Sequence, residues 1–434
     1  MRVLFTTYPE RTHFLSMAPL AWALRTAGHE VRFASQPKFA DVITRAGLTA
    51  VPVGRDRDLW QILSRDPDWL GRSDGGGMPM PYDVAAREPD DITWEYLSQG
   101  YETQVERWHK SSNVPMVSEL VEFARHWKPD LVVWEPLTYA GAIAAQAVGA
   151  AHVRLLFGTD MYGVAREHFL RLKAQRPEHE RTDRFADWLG GYARRYGGGF
   201  GEELITGQAT VDLVPECLQT RAGLEYLPLR YVPYGGPAVV PSWLHRAPEK
   251  PRVALTLGLS TTGHGGEYAV GVQDVLDAVG ELDIELVATI AESEQRKLTR
   301  IPGNTRVASF LPLDALTATC DAVIHHAGFG TLATTALRGL PQLILPWDND
   351  GPALAGGVAR TGAGLVLNPR RASGADVRDA LRRLLSEPEF RAGAAGLRER
   401  MLAMPSPNDL VGTLERFAAE RRGRVPAAPV PAGV

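Results

Sequence analysis

The segment 321–350 groups residues whose types and spacing suit the binding of a negatively charged ligand. It reads DAVIHHAGFGTLATTALRGLPQLILPWDND, which predicts a strand, two histidines, a glycine-rich turn, a helix, a second strand and an acidic loop. Gly328 and Gly330 allow a tight turn, and Thr331 can cap the helix that follows. The N–H groups of a helix N-terminus attract phosphate, with a dipole contribution of about 0.3–2 kcal/mol. Because His326 lies beside that terminus and can donate to a phosphate oxygen, we expect a phosphate-binding site here.

The same turn has a second interpretation as a dinucleotide-binding site. Gly328-x-Gly330-x-x-Ala333 matches the nicotinamide-cofactor fingerprint, and Asp348 lies about where a ribose-binding acid would follow. That fingerprint normally follows the first strand of its domain, whereas this one follows a late strand. Two adjacent imidazoles also suit an anion better than a nicotinamide. A nicotinamide-dependent oxidoreductase therefore stays open as an alternative hypothesis.

The elements that must position these residues alternate between strand and helix in both halves of the chain. Such alternation implies right-handed crossovers and parallel sheets, so the predicted fold class is α/β with two doubly wound units. A stretch rich in Pro and Gly, 228–251, predicts the linker between them. Ligands of such folds bind where strands end, which places the site in the cleft between the units. The predicted strands are 3–7, 31–34, 50–53, 130–134 and 152–155, then 253–257, 285–288, 307–309, 322–325 and 342–345.

Composition excludes several other classes of protein. With 434 residues, 44% of them hydrophobic and 23% charged, the chain has ordinary globular fractions and room for two cores. The formal net charge of −4 gives no basic excess, so we expect no nucleic-acid partner. No apolar run has membrane-spanning length, and two cysteines, Cys217 and Cys320, fit a reducing cytoplasm. We therefore expect a cytoplasmic protein with no membrane partner.

Four collinear segments, spread over nearly the whole chain, resemble the GT-B-fold antibiotic glycosyltransferases that decorate macrolides. They read RVLFTTYPERTHFLSMAPLAWALRTAGHEVRFASQPKFADVITRAGLTAVPVG, WKPDLVVWEPLTYAGAIAAQAVGA, VALTLGLSTTG and VASFLPLDALTATCDAVIHHAGFGT. More narrowly, the chain resembles transferases of TDP-deoxyaminosugars, of the desosaminyl, mycaminosyl and forosaminyl types, the last as in spinosyn biosynthesis. The resemblance implies a hexosyltransferase-type enzyme of antibiotic biosynthesis, which moves the sugar with inversion to a hydroxyl of a macrolide or polyketide aglycone.

The resemblance also implies how the chain is divided. Two Rossmann-like parallel-sheet domains should face each other across a cleft, the first, 1–227, binding the acceptor and the second, 252–406, binding the donor. The segment 228–251 should link them. A helix at 407–422 should pack back toward the first domain, and 423–434 should form a disordered tail.

For the donor, the resemblance implies contacts to a diphosphate, a nucleobase and a sugar. The diphosphate should lie at the turn of histidines and glycines, opposite a Gly and a Ser that follow the strand LTLG. The loop FLPL should read the nucleobase through its backbone, which fits thymine, so a TDP-sugar is the co-substrate and no other cofactor is expected. The implied donor-binding residues are Gly258, Ser260, Leu311, His326, Gly328, Gly330, Thr331, Asp348 and Asp350.

Two acids of this set, Asp348 and Asp350, follow the second strand of the 321–350 segment. Their carboxylates can accept hydrogen bonds from sugar hydroxyls and pair with a protonated sugar amine. Asp-Asn-Asp also fits the metal-binding pattern of a different glycosyltransferase fold, but we expect no metal, because the histidine and the helix terminus already serve the diphosphate. The family usually has an acid followed by Gln here, whereas this chain has Asp350-Gly351, so its sugar contacts should depart from the family's.

The acceptor hydroxyl needs a general base, which typically contributes about 10²–10⁴ in rate. His13 is the candidate, since it is expected in the loop after the first strand and a neutral imidazole suits this role. Glu135 follows the neighbouring strand LVVW, and related enzymes have an acid there that orients the histidine or is itself the base. Glu135 could instead complement a helix N-terminus. His325, which ends a strand, is expected to be structural.

Acceptor binding is expected from the loop 54–94 of the first domain. Its apolar and aromatic side chains suit a hydrophobic polyketide, although a packing lid or a partner surface would use the same residues. The resemblance also implies a cytochrome-P450-like auxiliary activator on the N-terminal domain, with the charged region 160–196 as one dock, and it allows a homodimer. The implied acceptor-binding residues are Trp60, Trp69, Met78, Met80 and Tyr82.

Three functions therefore have to be separated: an inverting glycosyltransferase, a nicotinamide-dependent oxidoreductase, and a non-catalytic protein that binds a sugar nucleotide or activates a partner. TDP should stabilise the first against heat, whereas NAD(P)H should stabilise the second. The third predicts that His13→Ala leaves product formation unchanged.

Overall fold

Two parallel sheets form the framework of the protein, within the residues that the computed structural model describes: 1–59, 61, 76–258 and 268–421. The first sheet contains β1 (Arg2–Thr6), β2 (Glu30–Ser35), β3 (Ala50–Pro52), β4 (Leu131–Trp134), β5 (Ala151–Leu155), β6 (Thr210–Asp212) and β7 (Tyr226–Pro228). The second contains β8 (Arg252–Thr256), β9 (Glu285–Thr289), β10 (Thr305–Ala308), β11 (Ala322–His325), β12 (Gln342–Ile344) and β13 (Gly364–Val366). Their strand orders are β3-β2-β1-β4-β5-β6-β7 and β10-β9-β8-β11-β12-β13. The winding therefore reverses between β1 and β4 in the first sheet and between β8 and β11 in the second.

Helices connect the strands of both sheets. The α-helices before the second sheet are Arg11–Thr26, Ala40–Arg45, Trp94–Thr103, Lys110–Trp127, Ala140–Val148, Met161–Ala174, Arg184–Arg195 and Glu203–Thr206. Those that follow are Val272–Val279, Glu292–Gln295, Leu313–Thr317, Phe329–Leu337, Gly351–Arg360, Gly374–Ser386, Pro388–Leu402 and Pro407–Arg421. A π-helical stretch spans Gln104–His109, and 3₁₀ segments span Pro37–Phe39, Tyr82–Ala86, Pro89–Asp91, Glu178–Glu180 and Ser242–His245. Among the described helices, none combines the length and the apolar character that crossing a bilayer requires.

The first sheet is buried on both of its faces. Val3 and Phe5 of β1 pack into one hydrophobic cluster, whereas Leu4 between them packs into another. Side chains alternate across a strand, so burial on both faces explains why β1 is a continuous apolar run rather than an alternating one. The predicted α/β class with doubly wound parallel sheets is confirmed.

The C-terminal helix, Pro407–Arg421, packs on the Arg11–Thr26 helix of the first sheet. Leu414 and Phe417 share a buried hydrophobic cluster with Leu24. The chain therefore returns to its first half after completing the second sheet. The tail expected to be disordered, 423–434, lies outside the described residues.

Several short elements are absent from the sequence prediction. Strands β6, β7 and β13 have 3 residues each and are not among the predicted strands, although β3 and β12 are equally short and are. The helix Pro388–Leu402 is not predicted either, and β7 overlaps the start of the expected linker. Strands β7 and β13 lie at sheet edges and β6 lies beside β7, so these strands do not change the predicted topology near the cleft.

The first helix begins earlier than its sequence suggests. The apolar spacing of Leu20, Ala23, Leu24 and Ala27 predicts a helix over 19–27. In the structure Glu10 caps the helix by accepting from Thr12 N, and Pro19 lies inside it. The prediction that His13 lies in a loop is therefore wrong, because His13 occupies the first turn of the Arg11–Thr26 helix.

Candidate active site

A cavity of about 840 Å³ lies between the two sheets, at the carboxyl ends of their central strands. Its walls include residues that follow β1 and β4 of the first sheet and β8 and β11 of the second, so both reversals of the winding face it. Ligands of open parallel sheets bind at such reversals. The predicted site residues that line the cavity are His13, Met78, Tyr82, Gly258, Leu311, His326, Gly328, Gly330, Thr331, Asp348 and Asp350.

The remaining predicted residues lie elsewhere. Glu135 is fully buried directly behind His13. Met80 does not line the cavity, since its carbonyl accepts from Gln104 Nε2 at 2.9 Å and holds this residue in the wall behind. The residues that lie outside the described part of the chain are Trp60, Trp69 and Ser260.

His13 and Glu135 form a histidine–carboxylate pair. His13 Nδ1 lies 3.3 Å from Glu135 Oε2, with the imidazole 10% exposed and the carboxylate completely buried. Strands β1 and β4 are neighbours in parallel register, which brings the residues that follow them to the same sheet edge. The two groups are paired at this distance without forming a hydrogen bond. Because the carboxylate faces Nδ1, Nε2 is the ring nitrogen directed to the cavity.

The Glu135 carboxylate is fixed by its own loop and by the loop after β1. Its Oε1 accepts from Tyr8 N at 3.3 Å and from Thr138 Oγ1. Its Oε2 accepts from Leu137 N at 2.9 Å. These bonds hold the carboxylate in the orientation that faces His13.

The alternative role of Glu135, as an acid that complements a helix N-terminus, does not match its contacts. The next helix is Ala140–Val148, and its first N–H, from Ala140, donates to Asn113 Oδ1 at 2.9 Å. The side chain that serves this helix terminus is therefore Asn113.

Phe157 lies flat against the His13 imidazole. The ring centroids are 3.7 Å apart and the ring planes differ by 12°. Phe157 belongs to the loop that follows β5, the next strand after β4 in the sheet. The stacking defines the plane of the imidazole, while Glu135 defines which nitrogen faces inward.

The imidazole of His326 is packed between two glycines. A Cβ at Gly258 would lie 2.6 Å from His326 Cε1, and one at Gly328 would lie 2.5 Å from Nε2, so a side chain at either position would displace the ring. Gly258 also has a φ of +81°, which favours glycine on conformational grounds. Burial lowers the pKa of His326, and a hydrogen bond between the ring and the Thr256 backbone opposes this effect.

The helix Phe329–Leu337 begins at the cavity wall beside His326. Gly328 is its N-cap, and Thr331 N already donates to Gly328 O at 3.0 Å. The prediction that Thr331 caps this helix is therefore wrong, because the helix starts earlier, although Thr331 does line the cavity. The first N–H groups of an α-helix have no partner within the helix, so this terminus can bind an anion.

His325 has a structural role, as its position at the end of β11 suggests. Its ring is fully buried, with Nδ1 accepting from Ala327 N at 3.1 Å and Nε2 paired with Gln342 Oε1 at 2.8 Å. Ala327 has a φ of +74°, which is unusual for alanine. The His325 ring thus supports the tight turn that places His326 and the helix terminus at the cavity.

The acidic loop after β12 meets the first half of the chain. Asp350 Oδ2 accepts from Thr159 N at 2.7 Å and from Thr159 Oγ1 at 3.2 Å, and burial raises the pKa of Asp350. Gly77 N donates to Trp347 O at 2.7 Å, and Gly77 pairs with Asp348 in a parallel bridge. One Asp350 oxygen is therefore engaged across the cleft.

Several aromatic residues that the sequence does not single out also line the cavity near His13. Tyr8 and Trp108 lie with ring centroids 5.9 Å apart, and Phe157 and Tyr162 continue this apolar wall. Trp108 belongs to the π-helical Gln104–His109 stretch, a feature often found at functional sites. Apolar periodicity marks buried helix faces but does not distinguish a cavity wall from a core, so the sequence held no signal for these residues.

The arrangement can bind a diphosphate on one side of the cavity and remove a proton on the other. The first N–H groups of the Phe329–Leu337 helix suit phosphate oxygens, and His326 lies beside them. His13, backed by Glu135, has the position of a general base, and the aromatic wall beside it suits an apolar molecule.

Two family models match the chain almost end to end. The model described as "Erythromycin biosynthesis protein CIII-like, N-terminal domain" matches residues 22–258, and its C-terminal counterpart matches residues 273–417. The chain is also 44% identical over 429 residues to 10-deoxymethynolide desosaminyltransferase of Streptomyces venezuelae, with 98% of this chain and 99% of the relative covered.

Solved structures of glycosyltransferases share the fold of the whole chain. The glycosyltransferase VinC in complex with dTDP is 39% identical, with a TM-score of 0.85 over 97% of this chain and 100% of that one. The spinosyn forosaminyltransferase SpnP is 38% identical, with a TM-score of 0.80 over 96% of this chain and 99% of that one. The predicted GT-B architecture is thereby confirmed.

Proposed function

The chain belongs to the erythromycin biosynthesis protein CIII-like family of glycosyltransferases, and we propose that it transfers a deoxyaminosugar from TDP to a hydroxyl of a macrolide or polyketide aglycone, with inversion. The observation that carries this proposal is the pairing of His13 with Glu135 at the first winding reversal, facing His326 and a helix terminus at the second. A base and a diphosphate site thus share one cavity. The oxidoreductase hypothesis is set aside, since the family and the relatives are glycosyltransferases.

The donor diphosphate lies, in this proposal, against the second sheet. His326 contacts the diphosphate beside the first N–H groups of the Phe329–Leu337 helix, with Gly258 lining the opposite strand end. These donors stabilise the negative charge that develops on the departing nucleoside diphosphate. The loop around Leu311 lies at the same side of the cavity and suits the nucleobase.

The acceptor hydroxyl is deprotonated, in this proposal, by His13 Nε2. Glu135 holds the imidazole in the tautomer with its proton on Nδ1 and stabilises the imidazolium that forms. The oxygen attacks the anomeric carbon from the side opposite the diphosphate, through an oxocarbenium-like transition state, so the configuration inverts. Three further points stay predictions: the sugar faces Asp348, no metal takes part, and the domains divide at 228–251.

The acceptor is proposed to be hydrophobic because the cavity wall beside His13 is aromatic. Tyr82, Met78 and Trp108 line it together with Phe157. The similarity to a 10-deoxymethynolide desosaminyltransferase, at 44% identity, supports both an aminosugar donor and a macrolide acceptor. The similarity to a forosaminyltransferase supports a spinosyn-like pair as well.

Partners other than the substrates stay proposals. A cytochrome-P450-like auxiliary protein on the N-terminal domain and a homodimer are carried over from the family resemblance. A cytoplasmic location is supported by two cysteines that are free, of which Cys320 is unreactive because burial raises its pKa to about 12.

The test is product analysis with purified protein. A panel of TDP-sugars, aminated and neutral, is combined with macrolide aglycones, with and without a candidate auxiliary protein, and the products are identified by mass spectrometry. We expect a glycosylated product from a TDP-deoxyaminosugar, and stabilisation of the protein by TDP in a thermal-shift assay. Stabilisation by NADPH but not by TDP, or TDP binding without any product, would contradict the proposal.

A further inference from the structure

The loop after β5 contacts both the proposed base and the donor half of the protein. We infer that residues 157–160 form a positioning element, which sets His13 at a fixed distance from the donor sugar. This inference rests on the proposed function, since it assigns a partner to the same base and the same donor loop.

The C-terminal end of this element is anchored in the first sheet. Asp160 is completely buried, and its Oδ2 accepts from Arg154 Nη2 at 2.6 Å and from Tyr226 Oη at 2.7 Å. Its Oδ1 accepts from Gly163 N at 2.9 Å, which caps the next helix. A buried carboxylate with charged and neutral partners is costly to move, so residue 160 is a fixed point.

One side of the element holds the base. Phe157 stacks on His13 with a centroid separation of 3.7 Å and an interplanar angle of 12°. A stacked ring cannot tilt without losing this contact or colliding with its neighbour. The position of residue 157 therefore determines the plane in which Nε2 points into the cavity.

The other side of the element holds the donor half. Thr159 donates to Asp350 Oδ2 from its N–H at 2.7 Å and from its hydroxyl at 3.2 Å. At Gly158 a Cβ would lie 2.2 Å from the same oxygen, so only glycine permits this approach. Asp348 lies two residues before Asp350 and lines the cavity. The bonds that hold Asp350 therefore also fix the loop that carries Asp348.

The proposed base and the donor loop thus both contact the segment 157–160, which is fixed at its C-terminal end. Reacting atoms must lie about 3–3.5 Å apart for attack, and a misplacement of about 1 Å can lower the rate about 10²-fold. We therefore assign Phe157, Gly158 and Thr159 as positioning residues, which act through His13 and Asp350 rather than on the substrate.

The experiment compares Gly158→Ala with Gly199→Ala, a position where an added Cβ meets no atom within 4 Å. We expect Gly158→Ala to lower kcat at least 10-fold and to shift the His13 imidazole signals in spectra of ¹⁵N-histidine-labelled protein, assigned with His13→Gln. The dissociation constant of TDP should stay within twofold, because His326 lies on the other side of the cavity. Gly199→Ala should behave as the wild type in all three measurements.

A second pair of variants covers the case in which Gly158→Ala does not fold. Thr159→Val removes the hydroxyl and should lower kcat about 3–10-fold, whereas Thr159→Ser should restore it, because one hydroxyl bond is worth about 0.5–1.5 kcal/mol. Wild-type His13 signals and kcat in the Gly158 or the Thr159 variant would overturn the inference, as would an equal loss of kcat and TDP affinity. If the wild type transfers no sugar, the proposed function fails. The inference on residues 157–160 is then tested by the His13 signals alone, which should still shift in Gly158→Ala.

Discussion

The three histidines around the cavity differ in what surrounds them, and that difference sets their roles. His13 is paired with a buried carboxylate and keeps one nitrogen for the cavity. His326 fills the space between two glycines, and His325 uses both nitrogens inside the protein. The adjacent His-His pair in the sequence therefore splits into one residue that supports a turn and one that lines the cavity.

The first prediction concerns the base. His13→Asn should lower kcat about 10³-fold, and Glu135→Gln, which removes the charge but keeps the shape, about 10–10²-fold. Both variants should bind TDP as the wild type does, since the proposed diphosphate site lies at the second sheet. Steady-state kinetics and calorimetry would measure the two quantities.

The matched control for these variants is His179→Gln, because the His179 ring is 81% exposed. It should keep wild-type kcat and TDP affinity. If His13→Asn kept more than a third of kcat, His13 would not be the general base, and another group would have to deprotonate the acceptor.

At the scale of elements, the sequence predicts the strands and turns near the cleft better than those at the edges. The strand before His326 and the helix after it combine a strong apolar run with glycines, so their order could be predicted. Thr210–Asp212 is not predicted, although the equally short strands Ala50–Pro52 and Gln342–Ile344 are, because only these two belong to a clear strand–helix–strand alternation. The first helix is predicted to start late because its apolar spacing begins at Leu20 and the glutamate that caps it is not a preferred N-cap residue.

The residues of the candidate site could also be predicted from the sequence only in part. Residues tied to a motif, such as Gly258 and His326, could be selected from the sequence and do line the cavity. Phe157 and Trp108 could not, because their role depends on tertiary neighbours from other loops. Met80 was selected for its apolar character, yet its backbone rather than its side chain makes the notable contact.

The second prediction concerns the glycine turn as an element. Gly328→Ala should weaken TDP binding at least 10-fold, because the added methyl would lie 2.5 Å from His326 Nε2 and displace the ring. Gly303→Ala is the matched control in the same half of the chain, since an added Cβ there meets no atom within 4 Å. Titration calorimetry with TDP measures both. Equal affinities for the two variants would mean that His326 does not need its present position to hold the diphosphate.

At the scale of the whole molecule, the two halves are joined by more than a linker. One hydrophobic cluster includes Phe5 of the first sheet, Leu332 beside the second sheet and Leu414 of the C-terminal helix. The cleft contacts of Thr159 with Asp350 add polar bonds between the same halves. We therefore expect both halves to unfold in one transition, and coincident fluorescence and circular-dichroism curves would establish the single free energy of unfolding that the next prediction uses.

Three buried histidines make that free energy depend on pH. Burial lowers the pKa of His109, His152 and His325 to about 3, from an ordinary value of 6.5. In two of them Nδ1 accepts a hydrogen bond. His152 Nδ1 accepts from Trp134 Nε1 at 3.2 Å, and His325 Nδ1 accepts from Ala327 N at 3.1 Å. Protonation of Nδ1 would break that bond in either ring. In the unfolded chain the same rings take up protons below about pH 6.5.

The third prediction follows from that difference in proton uptake. Between pH 6.5 and 3 the unfolded state binds more protons than the folded state, so the free energy of unfolding is highest above pH 6.5 and falls as the pH drops, by about 2 kcal/mol per ring at pH 5. Urea denaturation at pH 8, 6.5 and 5 measures this change in the free energy of unfolding.

His152→Asn, whose amide oxygen can replace Nδ1 as acceptor, should flatten the slope of the free energy of unfolding against pH below pH 6.5 by about 1.4 kcal/mol per pH unit. His179→Gln should leave the slope unchanged, because that ring is exposed. A free energy of unfolding that stays constant from pH 8 to 5 would show that the rings are protonated in the folded protein, and the turn held by His325 would then need another support.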